Sequence, residues 1–412
     1  MSIATEQPAL LGGPKTKGKP FPKWPIHDDG ERQAVLDVLE SKVWWRTPGT
    51  QTLAFEKEFA EFQHCKHGIA ITNGTHALEV ALLAMGVGPG HEVIVPNYTF
   101  VATASSVLCC GAMPVMVDIE ADSHNIDPDL VEEAITPRTK AIIAVHMGGQ
   151  PAQVERLQQI ACRHGLDLLE DCAHAHGSEW KGRRVGSFGV AGTFSFQSSK
   201  LMTAGEGGCI VTAFDQFERQ ARSVHDCGRL PGEWFYSHFQ YGSNYRMSEF
   251  LGAILRVQLR RGEEQTKRRH ENGRLLDKLF AEVDGIIPQR IPPEVTRNSH
   301  YAYIFNVDLA KFGGISMRKF IEAMNAEGIP NQAAYPPIHA LDCFQNGSYR
   351  AKLSGDQAKE PHRFLRQPFA ETLRAAWESY WVPQYCLLGD QEDMSEIVAA
   401  VKKIQASAKQ LV

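Results

Sequence analysis

Short apolar runs and stretches of helical periodicity alternate between residues 66 and 213. The apolar runs are HGIAIT, EVIVP, PVMVDI, AIIAVHM and LDLLED. Helical patterns follow the first two runs, and the amphipathic segment QVERLQQIACRHG separates the last two. This alternation is typical of βαβ units, in which mostly parallel strands form one sheet that helices cover on both faces. We therefore predict an α/β fold built on a large, mostly parallel sheet.

The pattern changes in the C-terminal part of the chain. Residues 248 to about 280 are typical of one long charged helix, and a smaller α+β region follows. That region holds the strand-like run YAYIFNV, a helix near residues 317–327 and a closing helix from about residue 391 to 408. We expect an N-terminal arm that docks on a partner subunit, a large domain and a small C-terminal domain. Their predicted bounds are residues 1–25, 26–260 and 261–412.

The overall charge and the cysteines argue against several classes of protein. The formal net charge is -5 and the pI is about 6.4, whereas nucleic-acid and acidic-membrane partners favour a basic surface. The longest apolar runs fall far short of the roughly 20 residues that span a bilayer, and the N-terminus lacks the apolar stretch of a signal peptide. The nine cysteines show no CxxC spacing, so neither disulfides nor a metal site is indicated. We expect a cytoplasmic protein without a metal, membrane or nucleic-acid partner.

Ligands of open α/β sheets bind beyond the carboxyl ends of the strands. The segments at those positions are residues 72–75, 96–100, 146–149 and 171–174. The first segment opens a helix, where free N–H groups and the helix dipole attract an anion. Gly74 lets the backbone approach a ligand closely, and the Thr75 hydroxyl can add a hydrogen bond. A plain strand-to-helix turn with an N-cap is the alternative interpretation.

Asp171 ends the apolar run LDLLED and precedes CAHAHG. A carboxylate at the end of a buried strand is costly unless it is paired. A cationic ring nitrogen would be a fitting partner, since the carboxylate would keep the ring protonated as an electron sink. His174 could reach the same ligand. A capping aspartate or a structural ion pair is the alternative for Asp171, and an isolated histidine is usually structural too.

The run SFGVAGTFSFQSSK has the pattern of a buried strand, and Lys200 is the residue at its far end. The run GEGG at residues 205–208 allows a close approach of the backbone before the next strand. A lysine packed against a core becomes a usable nucleophile, and a solvated lysine is the alternative interpretation.

The order of these residues along the chain is more informative than any one of them. An anion-binding turn, the aromatic Phe100, Asp171, Ser195 and Lys200 follow one another. A phosphorylated aromatic aldehyde needs a phosphate cradle, a face to stack on, a counter-ion for its ring nitrogen and an amine. We therefore predict that Lys200 carries pyridoxal 5'-phosphate as a Schiff base.

Longer motifs carry a resemblance to a known family. They are TNGTHALEVALLAMGVGPGHEVIVPNYTFVATA, VDIEADSHNIDP, AVHMGGQ, LLEDCAHAHGSEWKGRRVGSFG, TFSFQSSKLMTAGEGG and GSNYRMSEFLGAILRVQL. In this order they resemble the DegT/StrS sugar aminotransferases through most of residues 30–260, and the C-terminal part resembles them more loosely. The resemblance implies the aspartate aminotransferase-like fold (fold type I), with a large mixed sheet domain and a smaller α+β domain.

The resemblance also implies roles for single residues. Lys200 would bind the cofactor aldehyde, and Asp171 would pair with the pyridinium nitrogen. His174 would lie near the cofactor's phenolic oxygen, and Phe100 would stack on its ring. The implied phosphate ligands are Gly74, Thr75, Ser195 and, from a neighbouring subunit, Asn244. Because Asn244 would come from a neighbouring subunit, the resemblance also implies a homodimer with shared active sites. Relatives with histidine in place of the lysine are sugar dehydratases, and Lys200 argues against that activity.

Within the family, FPKWP and Trp44-Trp45-Arg46 resemble the subgroup that acts on carbocycles. It contains L-glutamine:scyllo-inosose aminotransferases and 3-amino-5-hydroxybenzoate synthases. The implied reaction moves an amino group from L-glutamine or L-glutamate to a keto-cyclitol or keto-sugar, with pyridoxamine 5'-phosphate between the two half-reactions. A synthase-like dehydratase and a non-catalytic regulatory protein that binds the cofactor are the alternatives. Pro383 and Gln384 stand where these relatives tend to carry a histidine pair, which leaves the acceptor open.

Overall fold

A computed structural model describes residues 6–359 and 368–411 of the chain. The helices are α1 (Asp29–Ser41), α2 (Gln51–Phe62), α3 (Gly74–Ala84), α4 (Ala102–Cys109), α5 (Pro128–Ala134), α6 (Val154–His164), α7 (Asp215–His225), α8 (Glu249–Phe280), α9 (Met317–Ala326), α10 (Asp342–Gln345), α11 (Ala370–Glu378) and α12 (Gln391–Ala406). The strands are β1 (His67–Ile71), β2 (Glu92–Pro96), β3 (Met113–Val117), β4 (Thr139–Val145), β5 (Asp167–Asp171), β6 (Glu179–Trp180), β7 (Arg183–Arg184), β8 (Ala191–Ser195), β9 (Gly208–Thr212), β10 (Ile286–Pro288), β11 (Val295–Arg297), β12 (Ala302–Val307) and β13 (Ser379–Pro383).

The main sheet has seven strands in the order β1-β9-β8-β5-β4-β2-β3. Strands β8, β5, β4, β2 and β3 are parallel, while β9 runs antiparallel to both of its neighbours, β8 and β1. The predicted α/β fold with a mixed, mostly parallel sheet is therefore confirmed.

The apolar runs are continuous because the sheet is buried on both faces. In β4, Ile143 belongs to the core that contains α3, α4 and α7, whereas its neighbours Ile142 and Ala144 belong to the core beneath α5 and α6. The sheet register sets Asp171 opposite Val145 on one side and Thr193 on the other. The carboxyl ends of β4, β5 and β8 therefore lie close together.

A second sheet, β10-β12-β13, packs with α9 and α12 around a separate core. The long helix α8 contributes to two cores, with Leu255 near its start in one and Leu276 and Phe280 near its end in the other. The predicted long helix is thus observed, and the predicted boundary near residue 260 falls inside it. That division stays a prediction.

The described part of the N-terminal arm lies against its own chain, and its docking on a partner subunit stays a prediction. Glu327, at the end of α9, accepts hydrogen bonds from the backbone N–H of Ala9 (2.7 Å) and of Thr16 (2.9 Å). The arm folds back because this buried carboxylate needs donors that α9 does not supply. Among the described residues, no helix is both long and apolar enough to cross a membrane.

Candidate active site

A cavity of about 670 Å³ lies at the carboxyl ends of β1, β2, β4, β5 and β8. It brings together seven of the eight predicted site residues, namely Gly74, Thr75, Phe100, Asp171, His174, Ser195 and Lys200. The eighth, Asn244, lies outside the cavity on the exposed segment that precedes α8, where it forms a β-bridge with Asp226. The roles assigned to these eight residues stay predictions.

The turn after β1 forms one end of the cavity. Asn73 caps α3, and its side chain accepts a hydrogen bond from the backbone N–H of His76 at 2.8 Å. The N–H groups of Gly74 and Thr75 belong to the first helical turn, which has no intrahelical partners. A Cβ atom placed on Gly74 would lie 2.7 Å from the Cβ of Ser195. The turn and the end of β8 therefore approach more closely than any side chain would permit.

Asp171 forms the floor of the cavity and is buried. Its carboxylate accepts a hydrogen bond from the Thr103 hydroxyl at 3.0 Å and another from the Ala173 N–H at 3.2 Å. Burial raises the pKa of Asp171 above its usual value, although both hydrogen bonds and the charge of Lys200 act in the opposite direction. No ion pair joins it to another described residue. Within the described part of the chain, it is a buried carboxylate without an ion-pair partner.

The sequence predicts Lys200 at the end of a strand, but in the structure it lies beyond the strand. Strand β8 ends at Ser195, and Lys200 comes five residues later in a turn in which its N–H donates to the Gln197 carbonyl at 2.9 Å. The strand stops there because the Gln197 side chain bonds within the turn, accepting from the N–H of Ser199 at 2.8 Å. The Lys200 Nζ atom lies 4.4 Å from the centre of the Tyr301 ring.

Three rings make up one wall of the cavity. The His174 imidazole stacks on Tyr301, with centroids 4.0 Å apart and an angle of 13°, and its Nε2 atom lies 3.1 Å from the Tyr335 hydroxyl. Burial, aided by the charge of Lys200, lowers the pKa of His174 well below its usual range, so the ring is neutral near pH 7. Its Nδ1 atom has no partner among the described residues.

Phe100 lines the cavity next to this wall, with its ring centre 6.0 Å from that of Tyr335. The Phe100 side chain is 53% exposed, so a large apolar face is left open. Such a face suits a flat aromatic ligand.

Three of the other cavity residues lie in the strand-end segments 72–75, 96–100 and 171–174, but the sequence assigned no individual role to any of the fourteen. They are Asn73, His76, Leu78, Thr99, Ala102, Thr103, Val145, Ala173, Gln197, Ser199, Glu206, Tyr301, Gln332 and Tyr335. Thr99 and Thr103 have hydroxyls 3.2 Å apart, and only Thr103 lies on α4. Tyr301, Gln332 and Tyr335 come from remote segments, and no local pattern indicated them.

One buried group beside the cavity has the residue types of a metal site, namely His146, Glu170 and Cys172. The Glu170 oxygens, however, accept from the N–H groups of Gly186 (2.8 Å), Phe188 (2.7 Å) and Gly189 (2.8 Å). His146 Nε2 lies 3.2 Å from the same carboxylate. Since these donors already satisfy the carboxylate, its geometry needs no cation.

Pro383 and Gln384 do not line this cavity. The Gln384 side chain is buried and accepts two hydrogen bonds from the Arg269 guanidinium, at 3.0 and 2.6 Å. The two positions at which the relatives tend to carry a histidine pair therefore lie outside the cavity wall.

Comparisons with known proteins agree with this geometry. Residues 25–376 match the DegT/DnrJ/EryC1/StrS aminotransferase family. A 3-amino-5-hydroxybenzoate synthase of Amycolatopsis mediterranei (strain S699) is 42% identical over 80% of this chain and 84% of its own length. An L-glutamine:2-deoxy-scyllo-inosose aminotransferase of Streptomyces kanamyceticus is 37% identical over 98% of both chains.

The fold comparison points the same way. The crystal structure of a 3-amino-5-hydroxybenzoic acid synthase matches with a TM-score of 0.86 and 38% identity, covering 96% of this chain and all of that chain. The fold is that of the fold type I enzymes, which depend on pyridoxal 5'-phosphate. The chain belongs to the DegT/DnrJ/EryC1/StrS aminotransferase family.

Proposed function

We propose that this aminotransferase holds pyridoxal 5'-phosphate at Lys200 and moves an amino group from L-glutamine or L-glutamate to a keto-cyclitol. One observation carries the proposal: Asp171 is a buried carboxylate with no ion-pair partner among residues 6–359 and 368–411, and it shares a cavity with a lysine and with the turn that opens α3. A protonated pyridine ring would supply the missing positive charge.

The residues fit this cofactor at three further points. The close approach of Gly74 to Ser195 leaves a cradle with backbone N–H groups and a hydroxyl, which suits a phosphate. The partnerless Nδ1 atom of His174 could serve an oxygen on the cofactor ring. Phe100 offers an open apolar face.

When bound, the cofactor supplies an electron sink for negative charge that develops on the substrate carbon. Asp171 holds the proton on the cofactor's ring nitrogen, and Thr103 and the Ala173 N–H fix the carboxylate in place. Lys200 Nζ would take the proton from the α-carbon of the donor and deliver it to the cofactor's C4' atom, and in the second half-reaction it would move a proton in the opposite direction. The Nζ atom lies 4.4 Å from the centre of the Tyr301 ring, which borders it on one side.

The donor and acceptor are proposed from the relatives. The Streptomyces kanamyceticus enzyme, named for L-glutamine and 2-deoxy-scyllo-inosose, matches over nearly its whole length. A second candidate is a dehydration like that of the 3-amino-5-hydroxybenzoate synthase, because that relative is 42% identical.

An acceptor panel tests the proposal. The protein is first treated with L-glutamine or L-glutamate, and loss of the cofactor's visible absorption reports the first half-reaction. It is then offered scyllo-inosose, 2-deoxy-scyllo-inosose, a nucleotide-linked keto-sugar and an aminoshikimate-like acid. We expect the absorption to return with a cyclitol, together with an amino-cyclitol product. Return only with the nucleotide sugar, or an aromatic product from the acid alone, would refute the cyclitol assignment.

We also propose a cytoplasmic homodimer in which Asn244 binds the phosphate in the partner's cavity. Asn244 is exposed, and it follows a run of exposed aromatic side chains that includes Trp234 (71%), Tyr236 (66%) and Tyr241 (87%). Exposed apolar patches of this kind mark interfaces between proteins. All nine cysteines are free, which fits a reducing compartment. Sedimentation of the purified protein as a monomer would contradict the shared site.

Gly74→Ala is expected to weaken cofactor binding by about tenfold, roughly 1.4 kcal/mol, because the new methyl group must displace Ser195 from the phosphate cradle. The dissociation constant of pyridoxal 5'-phosphate, measured by titration of the visible absorption, checks this. Gly88→Ala is a control, since an added Cβ atom there meets nothing closer than 4.0 Å. Equal weakening for phosphate-free pyridoxal would contradict a phosphate cradle.

A further inference from the structure

The N-terminal arm is fixed to the C-terminal part of the chain by buried charges. The Glu327 carboxylate also accepts from Lys403 Nζ at 3.0 Å, and that ammonium donates to the Pro14 carbonyl at 2.6 Å. Lys17 is 5% exposed and pairs with Asp393 (2.6 Å) on α12. Because these groups are buried and mutually paired, the arm has a defined path over α9 and α12.

That path ends at the turn that carries Lys200. The indole N–H of Trp24 donates to the Ser198 carbonyl at 2.9 Å. Ser198 and Ser199 are exposed, so packing alone does not hold this part of the turn. On its other side, the Ser199 hydroxyl lies 2.9 Å from the Tyr301 hydroxyl. The turn is therefore held between Trp24 and Tyr301.

The Trp24 ring is itself held by a buried cation. The Arg269 guanidinium lies 5.4 Å from the ring centre and is 1% exposed. Its hydrogen bonds go to the Gln384 side chain, and none of the described carboxylates forms an ion pair with it. Burial lowers the pKa of Arg269 to about 9. A buried cation without a counter-ion gains from an aromatic face, so the Arg269–Gln384 pair fixes where the indole points.

We propose that Trp24 is a positioning residue for Lys200: through the Ser198 carbonyl it sets where the turn holds the Nζ atom in the cavity. This proposal rests on the proposed function, since it requires Lys200 to move the proton. The proposal also gives a role to Gln384, which stands where the relatives tend to carry a histidine. Gln384 acts on the turn through Arg269 and Trp24, and not on the substrate.

Two substitutions test the proposal in the cofactor-loaded protein. Trp24→Phe removes the N–H but keeps an aromatic face over Arg269, and Trp24→Leu removes both. At saturating L-glutamine, we expect the half-reaction rate to fall about 3- to 10-fold in Trp24→Phe and about 10- to 100-fold in Trp24→Leu. The donor concentration at half-maximal rate and the thermal midpoint of Trp24→Phe should stay at the unaltered values, because neither the donor pocket nor the core changes.

Trp377→Phe on α11 is the matched control, since Trp377 is 70% exposed and distant in sequence from the turn; it should leave the rate unchanged. A Trp24→Phe rate equal to that of the unaltered protein would overturn the positioning role. So would a fall in rate that appears only as weaker donor binding. If the unaltered protein shows no half-reaction with either donor, the proposed function itself fails.

Discussion

Lys200→Ala is expected to remove the cofactor's visible absorption band and to lower the half-reaction rate by about 10²- to 10⁴-fold, the range for a positioned acid–base group. Lys200 is the lysine that lines the cavity of Asp171, and its Nζ atom points over the Tyr301 ring. Without the amine, nothing in the described part of the cavity wall replaces it as both nucleophile and base.

Lys200→Arg separates a chemical role from a structural one. A guanidinium keeps the positive charge over Tyr301 but does not condense with the aldehyde or release a proton near neutral pH. The Arg variant should therefore be as inactive as the Ala variant while keeping a thermal midpoint closer to that of the unaltered protein. Lys267→Ala, at an exposed position on α8, serves as the control. Turnover by Lys200→Arg would show that the lysine acts only through its charge.

The sequence predicted those parts of the site that follow strand ends. Gly74, Thr75, Phe100 and Asp171 each come at or soon after the end of a β-strand. Because parallel strands end at one edge of a sheet, local patterns were enough to place these residues together. The same reasoning misplaced Lys200, since the apolar run that contains Phe196 continues past the hydrogen-bonded strand into a turn.

The residues that hold Lys200 could not be predicted, because the contacts join distant parts of the chain. Tyr301 precedes β12 and stacks on His174, while Trp24 reaches Ser198 across 174 positions. A tyrosine or tryptophan beside an apolar run is usually a core residue. Only the packing of the second sheet and the arm against the large sheet gives these side chains a role.

Asp171→Asn is expected to have opposite effects on activity and on the stability of the cofactor-free protein. The amide has the same shape: its oxygen can accept from the Ala173 N–H, and its NH2 group can donate to the Thr103 hydroxyl, which then becomes the acceptor. It cannot hold a proton on the ring nitrogen. The half-reaction rate should fall about 30- to 5,000-fold, which corresponds to the roughly 2–5 kcal/mol cost of losing one partner of a buried charge pair.

Stability should change in the other direction because of the Asp171 pKa. Burial raises that pKa in the folded protein, so the unfolded chain releases the proton first, near pH 4. As the pH rises from about 4 through the folded-state pKa, the carboxyl group therefore makes folding progressively less favourable. Asparagine carries no such penalty. The cofactor-free Asp171→Asn protein should have the higher thermal midpoint at pH 7, and the difference should vanish below about pH 4.

With the cofactor bound, the unaltered protein should have a higher thermal midpoint than Asp171→Asn. A protonated ring nitrogen compensates the Asp171 charge, so pyridoxal 5'-phosphate should raise the thermal midpoint of the unaltered protein more than that of Asp171→Asn. Asp37→Asn, at an exposed position on α1, controls for the loss of one negative charge. Thermal scans of the three proteins, with and without cofactor at pH 4 and pH 7, measure how far the cofactor-induced shift in thermal midpoint depends on the Asp171 charge. Equal cofactor-induced shifts in the unaltered protein and Asp171→Asn would mean that the carboxylate does not face a cation, and the assignment of Asp171 would be wrong.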